Sequence, residues 1–148
     1  MRIDYVAPIE GEHLDVSVAP DDTFSQGLLG PGFVILPKHH QVFAPFDGKI
    51  SLLFPTNHAI AIHHASGVNC LIHIGFGTVD LKGEGFTVHK KLHDEVKQGD
   101  LLIEFNYDFL SKHGVSMASP VVFLQKKSVS ILSRNDDQKR IQMLLEVL

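Results

Sequence analysis

The sequence predicts an all-β protein, an antiparallel β-sandwich or partly closed barrel with one or two short helical turns. Short apolar or alternating runs follow one another, and no sustained 3.6-residue apolar period occurs before the C-terminal tail. The 12 glycines and 7 prolines lie mostly between these runs, as tight turns require. A pseudo-repeat, A-P-x-acid-G-charged, occurs at residues 7–12 and 44–49, and its proline and glycine predict a turn that leads into a strand.

The predicted strands follow from these runs in chain order. Residues 33–36 are an apolar run that ends at Pro37, which cannot donate to a ladder. Residues 49–54 follow the turn pair Asp47-Gly48, and residues 59–63 precede the turn pair Ser66-Gly67. The remaining predicted strands are 68–74, 85–88, 101–105 and 121–124.

Three segments do not have a simple strand pattern. Residues 22–30 begin with a capping aspartate and end at Gly30, which predicts a short helical turn. Residues 107–113 predict another, with Gly114 as its stop. The tail 136–148 fits both periods, because Ile141, Leu144, Leu145 and Leu148 have helical spacing whereas Ile141, Met143, Leu145 and Val147 alternate.

Length and composition predict one globular domain over residues 1–148. The chain is 44% hydrophobic and 20% charged, and no apolar run approaches the roughly 20 residues of a membrane span. Its start lacks the apolar core of a secretory signal, so we expect a cytoplasmic protein without direct membrane insertion. A net charge of −4 and scattered lysines argue against nucleic acid as a partner.

The single cysteine, Cys70, is predicted to be a core residue. It has no second thiol for an internal disulfide or a zinc site. His73 lies three residues away, and side chains at odd spacing on a strand face opposite sides. A Cys/His nucleophilic pair is therefore not expected.

Two histidines, His58 and His73, each lie in an alternating run. Imidazole changes charge near neutral pH and serves as nucleophile, base or metal ligand. Singly, each could instead be a half-buried histidine bonded to a backbone carbonyl. Side by side, one ring could attack phosphorus while the other binds the phosphoryl oxygens. Thr56, two positions from His58, could add a hydroxyl contact on the same face.

Several motifs resemble one known family. They are A-P-F-D-G-K-I, F-P-T-N-H-A-I-A-I, L-I-H-I-G-F-G-T-V, L-K-G-E-G-F and S-P-V-V, within a stretch from about Ala7 to Val122. The family is the glucose-type enzyme IIA (EIIA type 1) of the bacterial phosphoenolpyruvate-dependent sugar phosphotransferase system. The resemblance is good over residues 1–125 and poor over 126–148. It implies a cytoplasmic β-sandwich phosphocarrier that takes a phosphoryl group from phospho-HPr and passes it to a cysteine of a IIB domain for sugar uptake.

The resemblance also implies roles for individual residues. His73 matches the phosphorylated histidine, His58 its supporting partner and Thr56 the hydroxyl that orients His58. Asp21 matches an acidic residue at the rim of the docking surface. The apolar residues at positions of that surface, for each of which core packing is the alternative, are Phe24, Leu28, Leu29, Phe54, Leu71 and Val79.

Two positions depart from the family pattern. Gly77 stands where the family has a second rim aspartate, and Gly30-Pro31-Gly32 stands where the family commonly has G-D-G. Because rim charges act mainly on association rate and partner choice, we expect the chemistry to be retained and the choice of partners to differ.

Two other functions remain open at this stage. The first is a regulatory adaptor that docks permeases or metabolic enzymes through the same surface, where His58 and His73 would share a zinc with a partner's carboxylate. Phosphoryl carriage itself is expected to need no cofactor. The second is a zinc hydrolase, suggested by the rhythm of A-I-A-I-H-H-A-S-G. Such a site needs three protein ligands, and neither H-x-x-x-D nor H-x-H occurs in the sequence, which argues against it.

Overall fold

Strands account for most of the regular structure in this computed structural model, which describes residues 1–113 and 116–148 without the side chains of Val79 and Asp80. The strands are β1 Arg2–Val6, β2 Gly11–Asp15, β3 Gly32–Pro37, β4 Gln41–Phe43, β5 Gly48–Leu53, β6 Ala59–His63, β7 Asn69–His73, β8 Phe86–Val88, β9 Glu95–Val96, β10 Leu101–Phe105, β11 Ser119–Phe123, β12 Val129–Asn135 and β13 Gln142–Val147. The helices are α1 Asp22–Ser25 and α2 Tyr107–His113, with 3₁₀ turns at Val16–Val18 and Thr78–Leu81.

These strands form three antiparallel sheets. The large sheet has the order β2-β3-β11-β7-β6-β5-β9, and the two smaller sheets have the orders β1-β13-β12 and β4-β10-β8. The predicted all-β fold is therefore confirmed. Within the described chain the large sheet stays open, because its end strands β2 and β9 each have a single neighbour.

The two faces of the large sheet cover different apolar clusters. On β6 and β7, Ile60, Ile62, Cys70 and Ile72 belong to the main core, whereas Ala59, Ala61 and Leu71 belong to a second cluster on the other face. This division follows from the two-residue period of a strand. It confirms that Cys70 is a core residue, and burial raises the pKa of its thiol well above the usual range.

The segments without a simple strand pattern form two short helices and one strand. Both predicted helical turns are present, but α1 is shorter than predicted: it is capped by Asp21 and ends at Ser25, five residues before Gly30. Gly114, the predicted stop of α2, lies outside the described residues. The tail forms β13, with Met143, Leu145 and Val147 buried, so its alternating pattern describes it. No helix in the described chain is long and apolar enough to cross a membrane.

Both copies of the pseudo-repeat lead into a strand, as predicted, because Gly11 opens β2 and Gly48 opens β5. Each glycine lies where a neighbouring strand approaches closely. A Cβ atom at Gly11 would lie 2.1 Å from the Leu36 carbonyl oxygen, and one at Gly48 would lie 2.4 Å from that of His63. The repeated motif thus marks two equivalent positions of close backbone contact.

Gly32, in the G-P-G segment, provides a test of the packing between β3 and β11. A Cβ atom there would lie 2.0 Å from the Val121 carbonyl oxygen, so the two strands would have to separate. We expect Gly32→Ala to lower the free energy of unfolding by roughly 3 kcal/mol, as measured by urea denaturation. Gly67→Ala is the control, because its Cβ atom would meet nothing within 4 Å and only its φ of +96° opposes the change. A loss of about 1 kcal/mol is expected there; equal losses in both variants would contradict the steric argument.

Candidate functional site

His73 is the last residue of β7, directly opposite Ala59 of β6. It lies two residues after Leu71 and therefore shares the face of the second apolar cluster. Its side chain is half-buried. The strand register thus brings a histidine to the edge of an apolar surface with one part of its ring open.

A backbone carbonyl fixes the tautomer of His73. Its Nδ1 lies 2.7 Å from the Gly75 carbonyl oxygen. A carbonyl oxygen only accepts hydrogen bonds, so Nδ1 carries the hydrogen and donates it. The other nitrogen, Nε2, consequently keeps its lone pair. The ring is held in the form of a nucleophile.

Ser119, which the sequence reasoning missed, supports this carbonyl. The Gly75 amide donates to the Ser119 hydroxyl at 3.1 Å, and that hydroxyl donates to the Met117 carbonyl at 2.9 Å. Ser119 is fully buried. The available signal was the polar residue at the start of the apolar run S-P-V-V, since a buried hydroxyl needs partners.

A turn, rather than a strand, positions His58 and its hydroxyl partner. The Asn57 amide donates to the Phe54 carbonyl at 2.8 Å, and Asn57 has a φ of +60°, which closes a turn over residues 54–57. His58 follows this turn and is only 2% exposed. Thr56 Oγ1 lies 2.6 Å from His58 Nδ1. The expected contact is present, although it arises from the turn and not from strand alternation.

The structure brings the two predicted histidines together. Their ring centroids are 4.8 Å apart at an interplanar angle of 80°. Phe54 packs edge-on against His58 at 5.2 Å, and Phe24 packs against His73 at 5.3 Å. Phe76 lies 5.8 Å from His73 and also contacts Phe24. Three phenylalanines therefore surround the pair and limit its access to water.

Burial keeps both imidazoles neutral at physiological pH. Burial lowers the pKa of His73 to about 4, with a further lowering by His58, while the Gly75 carbonyl and the Asp21 charge oppose the shift. Burial also lowers the pKa of His58. A neutral His73 has its Nε2 lone pair available, so the environment favours nucleophilic attack.

The predicted apolar docking residues differ in their exposure, and two of them are buried. Phe24 and Leu71 are only 6% and 5% exposed, so the expectation that they line an exposed surface is corrected. Leu71 is buried in the second apolar cluster, which contains its strand neighbours Ala61 and Val122 and also Phe24.

The other predicted members of this surface are more open. Leu28 is 71% exposed, and Leu29 and Phe54 are half-buried. The side chain of Val79 lies outside the described residues. The exposed apolar part therefore consists of Leu28 with portions of Leu29 and Phe54.

The two rim positions differ as the sequence indicated. Asp21 is exposed and caps α1, accepting a hydrogen bond from the Thr23 amide at 2.8 Å. Its charge acts on His73, so the carboxylate borders the site. Gly77 has a φ of +78°, a conformation that favours glycine. One negative rim charge is present and the second is replaced by a backbone turn.

The described residues contain no group of three or more histidine, cysteine or acidic side chains arranged to hold a metal ion. His58 and His73 contribute two imidazoles, one fewer protein ligand than a catalytic zinc site uses. This finding gives no support to the zinc hydrolase.

Comparisons with known proteins give the family of this chain. The family model for the phosphoenolpyruvate-dependent sugar phosphotransferase system, EIIA 1, matches residues 3–129. Among solved structures, the chain is similar to the glucose permease IIA from Mycoplasma capricolum, with a TM-score of 0.80 and 36% identity. That match covers 83% of this chain and 80% of the other.

Fold and comparisons together define the class: a phosphocarrier component of a bacterial sugar phosphotransferase system, which acts in sugar uptake. Its activity is phosphoryl transfer between proteins of that system. Within this class, the chain belongs to the EIIA 1 family.

Proposed function

We propose that His73 is the residue of this phosphocarrier that carries the phosphoryl group, on Nε2. One observation supports this most directly: the Gly75 carbonyl holds the hydrogen on Nδ1, which leaves the Nε2 lone pair free beside a second imidazole. His58 has no such arrangement, since its ring is almost completely buried and its Nδ1 contacts Thr56.

The proposed reaction has two steps. In the first, the Nε2 lone pair of His73 attacks the phosphorus of phospho-HPr, the new N–P bond forms, and the bond to the HPr histidine breaks. The proton of His73 stays on Nδ1, hydrogen-bonded to the Gly75 carbonyl. In the second, a thiolate of the IIB domain attacks the phosphorus, and the N–P electron pair returns to Nε2. Because the phosphorylated ring keeps its Nδ1 proton, it is a good leaving group.

His58 is proposed to bind the phosphoryl oxygens. In this proposal the Thr56 hydroxyl donates to Nδ1 of His58 across their 2.6 Å contact, so that Nε2 carries the hydrogen and is a donor. Such a donor in a site with little water stabilises the charge that develops on the transferring group. Thr56 is therefore a positioning residue that sets the tautomer of His58.

HPr and a IIB domain are the proposed partners, docking in turn over Leu28, Leu29 and Phe54. An exposed apolar area beside a charge is typical of a transient interface. The exposed Asp21 carboxylate fits a basic group of either partner. All of this chemistry would take place in the cytoplasm, where HPr acts.

A phosphate-transfer assay tests the proposal. The protein is incubated with enzyme I, HPr and labelled phosphoenolpyruvate, and the label is located by peptide mass spectrometry. We expect acid-labile, base-stable phosphate on His73, and its transfer to a cysteine when IIB is added. Absence of label, or label on another histidine, would overturn the assignment of His73.

Changes at His58 and Thr56 should act on transfer more than on loading. We expect His58→Gln to accept phosphate but to pass it to IIB roughly ten- to a hundredfold more slowly, because the amide N–H of glutamine is not held at the position of Nε2 of His58. Thr56→Val should slow the same step by roughly tenfold, because Nδ1 of His58 loses its partner. Rapid-quench measurement of transfer to IIB gives both rates. Unchanged transfer in His58→Gln would remove His58 from the mechanism, and His89→Gln is the control.

The alternative regulatory role is proposed for the unphosphorylated state. His58 and His73 present two imidazoles, the number that a zinc shared with a partner's carboxylate would use. In this state His58 would carry its hydrogen on Nδ1 and donate it to Thr56 Oγ1, which frees Nε2 for the metal. Zinc should then strengthen the binding of a regulated permease or metabolic enzyme, and phosphorylation of His73 should abolish that effect. Binding titrations with and without zinc measure this, and zinc-independent binding would contradict the shared metal.

A further inference from the structure

Strand β12 presents an open edge. It pairs with β13 on one side, and within the described ranges no strand pairs with its other side. Apart from half-buried Val129, every residue of this seven-residue strand is exposed. An unpaired strand of this length offers a row of free backbone donors and acceptors to another chain.

The centre of this edge is apolar. Ile131 and Leu132 are 45% and 43% exposed. The register with β13 shifts between Ile131 and Ser133, so Leu132 is an extra residue in the ladder. Such a bulge disturbs the alternation of side chains, which agrees with two consecutive apolar side chains both reaching solvent.

Opposite charges flank this centre. Lys126 and Lys127 precede β12, and Asp136 and Asp137 follow it. Asp136 pairs with Arg134 at 2.7 Å, while Lys127 and Asp137 are exposed. The segment is therefore basic at its start, apolar in its middle and acidic at its end.

We propose that β12 associates with β12 of a second copy of this protein, antiparallel about a two-fold axis at Leu132. Around that axis Lys127 of each copy faces Asp137 of the other, so the same complementary pair forms twice. Leu132 of each copy faces Leu132 of the other, and each Ile131 lies next to this pair. A parallel arrangement would instead place like charges together. This charge pattern makes the edge complementary to itself, as a two-fold interface requires.

The central leucine gives the first test. Sedimentation equilibrium of the wild-type protein should show concentration-dependent dimers. Leu132→Lys should weaken dimerisation by roughly tenfold or more, because two lysines would meet at the axis. Leu92→Lys is the matched control, since Leu92 is 47% exposed and lies outside β12. Its dimerisation should equal that of the wild type.

A charge exchange gives the second test. Lys127→Asp alone and Asp137→Lys alone should each weaken self-association, because like charges would then face each other twice. An equimolar mixture of these two variants should form a heterodimer, and the double variant should recover dimerisation. Circular dichroism and phosphate loading should be unchanged throughout, since these residues lie outside the proposed site.

Two results would overturn the proposal. A wild-type protein that remains monomeric at the highest soluble concentration would exclude the second copy. Dimers that are unaffected by Leu132→Lys and by the charge exchange would place the interface elsewhere.

Discussion

We expect His73→Gln to accept no detectable phosphate from phospho-HPr, a loss of at least about a thousandfold in loading rate. The amide of glutamine has no basic lone pair that can attack phosphorus. It can still occupy the half-buried space between Phe24 and Phe76, so the fold should persist. The rate is measured with labelled phosphoenolpyruvate, enzyme I and HPr.

The control for this change is His89→Gln. His89 lies 2.8 Å from Glu104 on an exposed surface and has no place in the proposed reaction. Loading of that variant should match the wild type. Circular dichroism must show that His73→Gln is folded, since loss of loading through unfolding would prove nothing. Folded His73→Gln that still carries phosphate would move the acceptor to another histidine.

The histidine pair could be predicted because its determinants are local. Alternating runs placed His58 and His73 on strands or at their ends, and the motifs around them are specific. The 4.8 Å approach of the rings, however, depends on the register that pairs Ala59 with His73, which the sequence leaves open. The Thr56 contact was predicted from strand alternation and is produced by a turn in which Asn57 has positive φ.

Elements whose partners are distant in sequence were harder to predict. β1 pairs with β13 across nearly the whole chain, so its partner could not be inferred locally, and the alternation of Ile3 and Tyr5 with polar residues was missed. β12 is an exposed edge without alternation, and β9 has only two residues. β2 and β4 were missed as well, both of them short strands of five and three residues.

The structure of the tail and the exposure of the docking residues also depend on partners that are distant in sequence. Helical and strand patterns overlap in the tail, and the choice is made by pairing with β1 and β12, which buries Leu145 completely. Leu71 was expected at an exposed surface, and its burial depends on neighbours on both sides of β7. Side-chain exposure is a property of the assembled sheet, so one strand's sequence cannot determine it.

Acid should destabilise this protein well before its carboxylates are neutralised. Burial lowers the pKa of His13 to about 4, as it does for His73. His13 is 8% exposed, and its Nε2 lies 3.0 Å from the Tyr5 hydroxyl. Unfolded histidine has a pKa of about 6.5. Above that pH both states are neutral and the two residues add no pH dependence.

Between about pH 6.5 and pH 4 the unfolded chain binds protons that the folded protein excludes, so the free energy of unfolding falls as the pH decreases. At about pH 5 each histidine should account for a loss of about 2 kcal/mol, or about 4 kcal/mol for the pair. Below about pH 4 the folded state is protonated as well, and this contribution levels off.

Urea denaturation of the wild type and of the double variant His13→Gln/His73→Gln measures the effect. For each protein the free energy of unfolding at about pH 5 is subtracted from that at about pH 7.5, so that the direct effect of the substitutions on stability cancels. The double variant should lose the part of the pH dependence that His13 and His73 cause and keep the part from His58, whose pKa burial also lowers, while His39→Gln, at an exposed position, should retain all of it. If the free energy of unfolding changed equally with pH in all three proteins, His13 and His73 would bind protons in the folded state as readily as in the unfolded chain. Burial would then not keep His73 neutral, and the Gly75 carbonyl alone would have to preserve its nucleophilic tautomer.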